Sequence, residues 1–218
     1  ASEFNAARAA DPTIKEKLIM PDQTTWSAMD ANDKALFLIN SERCARGIKP
    51  FTGSLQAIID SANVYATELS STRVLTHGSP ANTAIEGRMT TAGVDRTAPG
   101  INADFVAQNE SLATVSAGTG GNVRPVLTEV EVRAVYSWLY DDINDGGSGY
   151  GHRTHLLRNR YVENTGDSAS EGLFGLATVR NDHNLPGQLW AEAWTVMHSF
   201  DPNAVFSTAG IKDSPKIF

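Results

Sequence analysis

Five histidines and a few well-placed carboxylates are the residues with most chemistry to offer. His77 lies just after a predicted helix, in Leu75-Thr76-His77-Gly78, and His152 stands at the mouth of another, behind a glycine-rich run. Glu110 sits in Ala107-Gln108-Asn109-Glu110-Ser111-Leu112-Ala113, read as a loop, and Asp141 follows Trp138 by about one helical turn. Two neutral imidazoles and two carboxylates converging in one cleft would bind a borderline divalent cation such as zinc. Imidazole is the expected direct ligand, and a carboxylate would bridge through water. The candidate metal set is therefore His77, His152, Glu110 and Asp141, and the candidate catalytic set is Glu110, His77 and His152. In a hydrolytic version Glu110 is the general base for a metal-polarised water, or Ser111 beside it is the nucleophile, although no strained elbow surrounds Ser111. His155, one turn after His152, reads as structural. His183, in a polar loop, and His198, late in a strand, read as solvated or core-satisfied imidazoles.

Familiar motifs fail at required positions. The glycines at 146 to 151 need Gly at 150 for a nucleophile elbow and find Tyr150. They need Gly at 152 for a dinucleotide loop and find His152. A calcium loop from Asp141 would place Ile143 and His152 where carboxylates belong. No His-Glu-x-x-His occurs.

The elements that must hold these residues follow from periodicity and stop signals. Asn32 or Asp33 caps a helix running through Ala35, Leu36 and Ile39 to Arg46, with Gly47 as its left-handed stop. Ser54 is expected to cap a second helix whose Leu55, Ile58, Ile59, Ala62, Tyr65, Ala66 and Leu69 share one face. A helical stretch is expected at 84–92. Thr128 and Glu131 form a capping-box pattern opening a helix through Val135 and Trp138, and a helical turn is expected at 152–158. Apolar, β-branched and aromatic runs at 172–180 and 188–199, joined by a polar loop, predict an antiparallel hairpin. Residues 1–29 read as an arm with a short helix at 13–20. Helices followed by late antiparallel strands argue an α+β layered fold.

Composition narrows the field. The chain has 218 residues, 41% hydrophobic and 20% charged, enough for a core without staples. A net charge of −7 leaves no footprint for nucleic acid or anionic membrane. The single Cys44 excludes an intrachain disulfide or a cysteine zinc cage. No apolar run approaches the roughly 20 residues that cross a bilayer, so no transmembrane segment is expected.

The motifs, in order, resemble the CAP superfamily of cysteine-rich secretory, antigen 5 and pathogenesis-related 1 proteins. Leu38-Ile39-Asn40-Ser41-Glu42-Arg43 with Gly47 and Pro50-Phe51 is similar to its opening helix, and Leu75-Thr76-His77-Gly78 to its Ser-His segment. Asn109-Glu110-Ser111-Leu112-Ala113 resembles its Gly-Glu-Asn-Leu-Ala segment, and Val135-Tyr136-Ser137-Trp138 its tryptophan helix. Gly151-His152-Arg153-Thr154-His155-Leu156-Leu157 resembles its Gly-His signature, and Glu86-Gly87-Arg88-Met89 a helix of its disulfide-free bacterial branch. Asp141 stands where eukaryotic members carry a second glutamate, and 95–107 looks like an insertion beside the cleft. The resemblance implies a three-layer α-β-α sandwich with a small, mainly antiparallel sheet, built from an arm at 1–29, a CAP domain at 30–206 and a tail at 207–218. It implies an extracellular or cell-envelope protein with a His/Glu cleft for a divalent cation, zinc, and a lipid, peptide or cell-wall ligand. A metal-dependent hydrolase and a lipid- or sterol-binding module are the alternatives.

Overall fold

The computed structural model describes residues 1–78, 87–88, 110–141, 151–158, 172–200 and 210–215. The apolar runs late in the chain form β3 (Leu173–Arg180) and β5 (Gln188–Phe200), paired antiparallel from Leu173↔Phe200 to Arg180↔Ala193. A short strand, β4 (His183–Leu185), turns back on β5 through Pro186 and Gly187. On its other edge β5 pairs antiparallel with β2 (Glu110–Thr119), with Glu110 opposite His198. The sheet order is β2-β5-β3-β1-β6, where β1 is Gly53–Ser54 and β6 is Lys212–Asp213. Only the β1–β3 pair is parallel among the described strands. Glu110 thus opens a strand, which corrects the loop reading of its segment.

Strand alternation sends successive side chains to opposite faces, and helices cover both. On one face lies α4 (Gln56–Thr72), whose Ala62, Tyr65, Ala66 and Leu69 pack on Leu112, Ala177, Trp194 and Val196. On the other lie α3 (Ala31–Cys44), α5 (Val130–Tyr136), a π-helical turn (Ser137–Asp141) and α6 (Gly151–Leu156). Their Phe37, Ile39, Val135, Trp138 and Leu156 share a core with Phe174, Leu176 and Met197. The result is the expected α+β sandwich of three layers. Gly175 lets α4 approach: a Cβ there would stand 2.5 Å from the Ile59 amide nitrogen and 2.6 Å from the Ile58 carbonyl carbon.

Several helix ends differ from their sequence signals. Asp30, not Asn32 or Asp33, caps α3, accepting a 2.9 Å hydrogen bond from the Asp33 amide. Ser54 belongs to β1, and α4 starts after Leu55 with no side-chain cap. At α5 no capping box forms, because Glu129 takes a left-handed conformation (φ 51°) and Val130 begins the helix. Residues 13–20 are not helical. Helices form instead on either side, α1 (Ser2–Ala10) and α2 (Gln23–Ala28). The expected helix at 84–92 lies outside the described residues except Gly87 and Arg88, which are helical. The 95–107 insertion also lies outside them.

Candidate functional site

On the α4 face, at the start of edge strand β2, the Glu110 carboxylate is fully buried and faces three donors. Oε1 accepts from His77 Nδ1 at 2.9 Å. Oε2 accepts from Arg88 Nη2 at 2.7 Å and from His198 Nε2 at 2.8 Å. The local reasons are visible in the elements. Strand register sets His198 directly opposite Glu110 and beside side-chainless Gly175. Helix α4 ends at Arg73 in the left-handed conformation (φ 55°), which turns the chain toward His77. Tyr65, on the buried face of α4, then supports both remaining partners. Its hydroxyl donates to the Thr76 carbonyl, and its ring lies 3.5 Å beneath the Arg88 guanidinium carbon.

Burial alone would raise the Glu110 pKa. Hydrogen bonds from His198 and His77, with the charges of His198 and Arg88, overcome it and bring it down to about 2. Glu110 is therefore a fixed carboxylate at neutral pH. Burial and the charge of Glu110 push the Tyr65 phenol up to about 12, so it stays a hydrogen-bond donor. An ionised carboxylate at Nδ1 selects the Nδ1–H tautomer of His77 and leaves Nε2 as the acceptor. The His77 side chain is 51% exposed, in contrast to its buried partners. The site is a buried anion hydrogen-bonded to one half-exposed imidazole.

The other predicted residues lie elsewhere. His152 is carried by α6, on the opposite face, with its ring centroid 6.5 Å from that of Trp138. Asp141 is exposed at the end of the π-helical turn, where its charge helps to raise the Tyr136 pKa after burial. The structure thus joins His77 to Glu110 and carries His152 and Asp141 on the other side of the sheet. His155 is structural in setting: it is buried, with Nδ1 2.7 Å from Ser111 Oγ and Nε2 2.7 Å from Ser199 Oγ. Burial, then the charges of Arg158 and His152, drives its pKa well below the ordinary value. Ser111 Oγ therefore points away from Glu110. His183 is partly buried and stacked on Trp190 with centroids 6.2 Å apart.

Two members escaped the sequence as site residues. His198 shares the parity of Trp194 and Val196, which marks it as inward-facing, but only the β2–β5 register shows its partner. Arg88 belongs to a recognised motif, yet nothing local connects it with Glu110 22 residues on. The donor set suits a divalent ion poorly, because both Glu110 oxygens accept from protein donors and one carries an arginine. Among the described residues no group of three or more His, Cys, Asp or Glu could hold a metal ion.

No family model matches the sequence, and no curated protein matches it. Among solved structures the chain is similar to an outer surface protein from Borrelia burgdorferi, at 14% identity and TM-score 0.39, over 79% of this chain and 96% of that one. It is also similar to the CAP domain of enterococcal PrgA, at 13% identity and TM-score 0.41, over 84% of this chain and 65% of that one.

Proposed function

We propose that this chain is a CAP-like binding module of the cell exterior or envelope, which meets its ligand through His77. The ordered motifs and the three-layer architecture support the family reading. The observation that carries the functional one is the 2.9 Å contact between His77 Nδ1 and Glu110, made by a side chain that is itself half exposed. An imidazole so held accepts a hydrogen bond from a hydroxyl or amide of a lipid, peptide or cell-wall ligand. The arrangement also informs the hydrolase alternative. A carboxyl with a pKa of about 2 is a weak base at neutral pH, so in that alternative His77 is the base and Glu110 its orienting partner. Ser111 is hydrogen-bonded to His155 on the other face, but both are buried, so neither reading uses Ser111 as a nucleophile.

The test is a binding screen of the full chain against peptidoglycan fragments, phospholipid and sterol probes, and a peptide library, repeated with His77→Ala. A ligand class that binds the wild type and weakens about tenfold or more in the variant supports the proposal. Ligands found by the screen that bind the variant equally well contradict it. Ester or amide turnover lost in His77→Ala but indifferent to chelator would instead favour the hydrolase.

A further inference from the structure

Glu110 is a buried anion, and what neutralises it decides what the site can take. We propose that Arg88 is the resident cation of this site, filling the position on Glu110 that a divalent metal would need, so that His77 works from its carboxylate without a metal. The inference holds whatever ligand His77 meets.

Three observations converge on it. The Arg88 guanidinium is 2.7 Å from Oε2, with both side chains essentially inaccessible (2% and 0% exposed). Its carbon stands over the Tyr65 ring, 3.5 Å from the centroid, so an aromatic face and a carboxylate together suit a guanidinium. His198 takes the remaining approach to Oε2. Arg88 already offsets the buried Glu110 charge, and a dication added to this pair would leave charge uncompensated beside side chains that are 2% and 0% exposed. Replacing the guanidinium would also strip Tyr65 of its cation contact.

On this account Arg88 is a positioning residue that acts on His77 through Glu110. Its test is nitrogen-edited NMR of the imidazoles in the full chain, with zinc as the metal probe and methylguanidinium as the rescuing cation. The wild-type His77 and His198 resonances are expected to stay in place through a zinc titration. Arg88→Ala, which takes the guanidinium off Oε2, is expected to admit zinc, seen as zinc-induced shifts of His77 and His198, and millimolar methylguanidinium to exclude it again, while methylammonium, lacking the planar fork, excludes it less. Stoichiometric zinc-induced shifts of wild-type His77 that vanish in Glu110→Gln would overturn the proposal. So would a folded Arg88→Ala whose His77 and His198 resonances ignore zinc, or shift with zinc regardless of methylguanidinium. Should Arg88→Ala fail to fold, the wild-type zinc titration decides alone, resonances unmoved supporting the proposal and resonances moved refuting it.

Discussion

At the residue scale, Glu110 shows how environment sets role. The same carboxyl in a solvated loop would titrate near 4.5 and serve as a base or a ligand. Buried at a strand start and given three donors, it becomes a permanent charge that orients others. A stability consequence follows from its depressed pKa. The lower folded value means that its contribution is complete above the unfolded pKa of about 4.5 and is lost as pH falls through about 2. The shift corresponds to something on the order of 3 kcal/mol. Urea unfolding at a series of pH values should show a steep acid-side loss in the wild type. Glu110→Gln should be less stable near neutrality, with Arg88 deprived of its carboxylate partner, and should lack that share of the slope. Parallel curves for the two proteins would refute the assignment. Asp11 also titrates low in the folded state, so the difference between the curves, not the wild-type slope alone, is informative.

At the element scale, the site depends on how closely α4 packs on the sheet. The approach is set at Gly175, where any side chain would meet the Ile58–Ile59 backbone. Gly175→Ala should therefore push α4 outward, cost about 1–3 kcal/mol, and loosen Tyr65 from Thr76 and Arg88. A thermal midpoint within error of the wild type would count against this packing account. The same scale explains what the sequence revealed and what it hid. Helix α4 was legible because Ile58, Ala62, Tyr65, Ala66 and Leu69 repeat at helical spacing, and β3 and β5 because their runs are apolar and β-branched. Strand β2 was not, because Glu-Ser-Leu-Ala-Thr-Val-Ser-Ala-Gly-Thr is made largely of small residues. Such a segment becomes a strand because β5 offers an edge, and not from its own preference. The His77–Glu110 partnership was legible from ordered motifs, whereas His198 and Arg88 required a register and a fold. His152 and Asp141 were grouped with them by order along the chain, which does not say on which side of a sheet a helix will lie.

At the scale of the whole molecule, residues 1–29 are more tightly joined to the core than their composition suggests. Phe4 packs edge-on against Tyr136 and Tyr140, and the Arg8 Nε donates at 2.8 Å to Glu42, which is fully buried in α3. Glu42 also receives Arg46 at 2.7 Å and the Tyr140 hydroxyl at 2.5 Å, and Asp11 ties Arg46 to Arg153. Removing one partner of a buried pair generally costs about 3–5 kcal/mol. Because Arg46 still neutralises Glu42, Arg8→Ala should cost less, about 2 kcal/mol. Calorimetric unfolding measures this, and a neutral Arg8→Ala would mean that the arm merely rests on the domain. No helix among the described residues is long and apolar enough to cross a membrane.

The proposed function requires Glu110 to hold His77 with Nδ1 protonated and Nε2 free to accept from a ligand. Long-range nitrogen–proton NMR of the wild-type imidazoles near neutral pH reads this directly. Where His77 is neutral, the Nδ1–H tautomer should dominate in the wild type and shift toward the ordinary Nε2–H mixture in Glu110→Gln. A wild-type His77 dominated by Nε2–H, or a tautomer ratio that Glu110→Gln leaves unchanged, would contradict it.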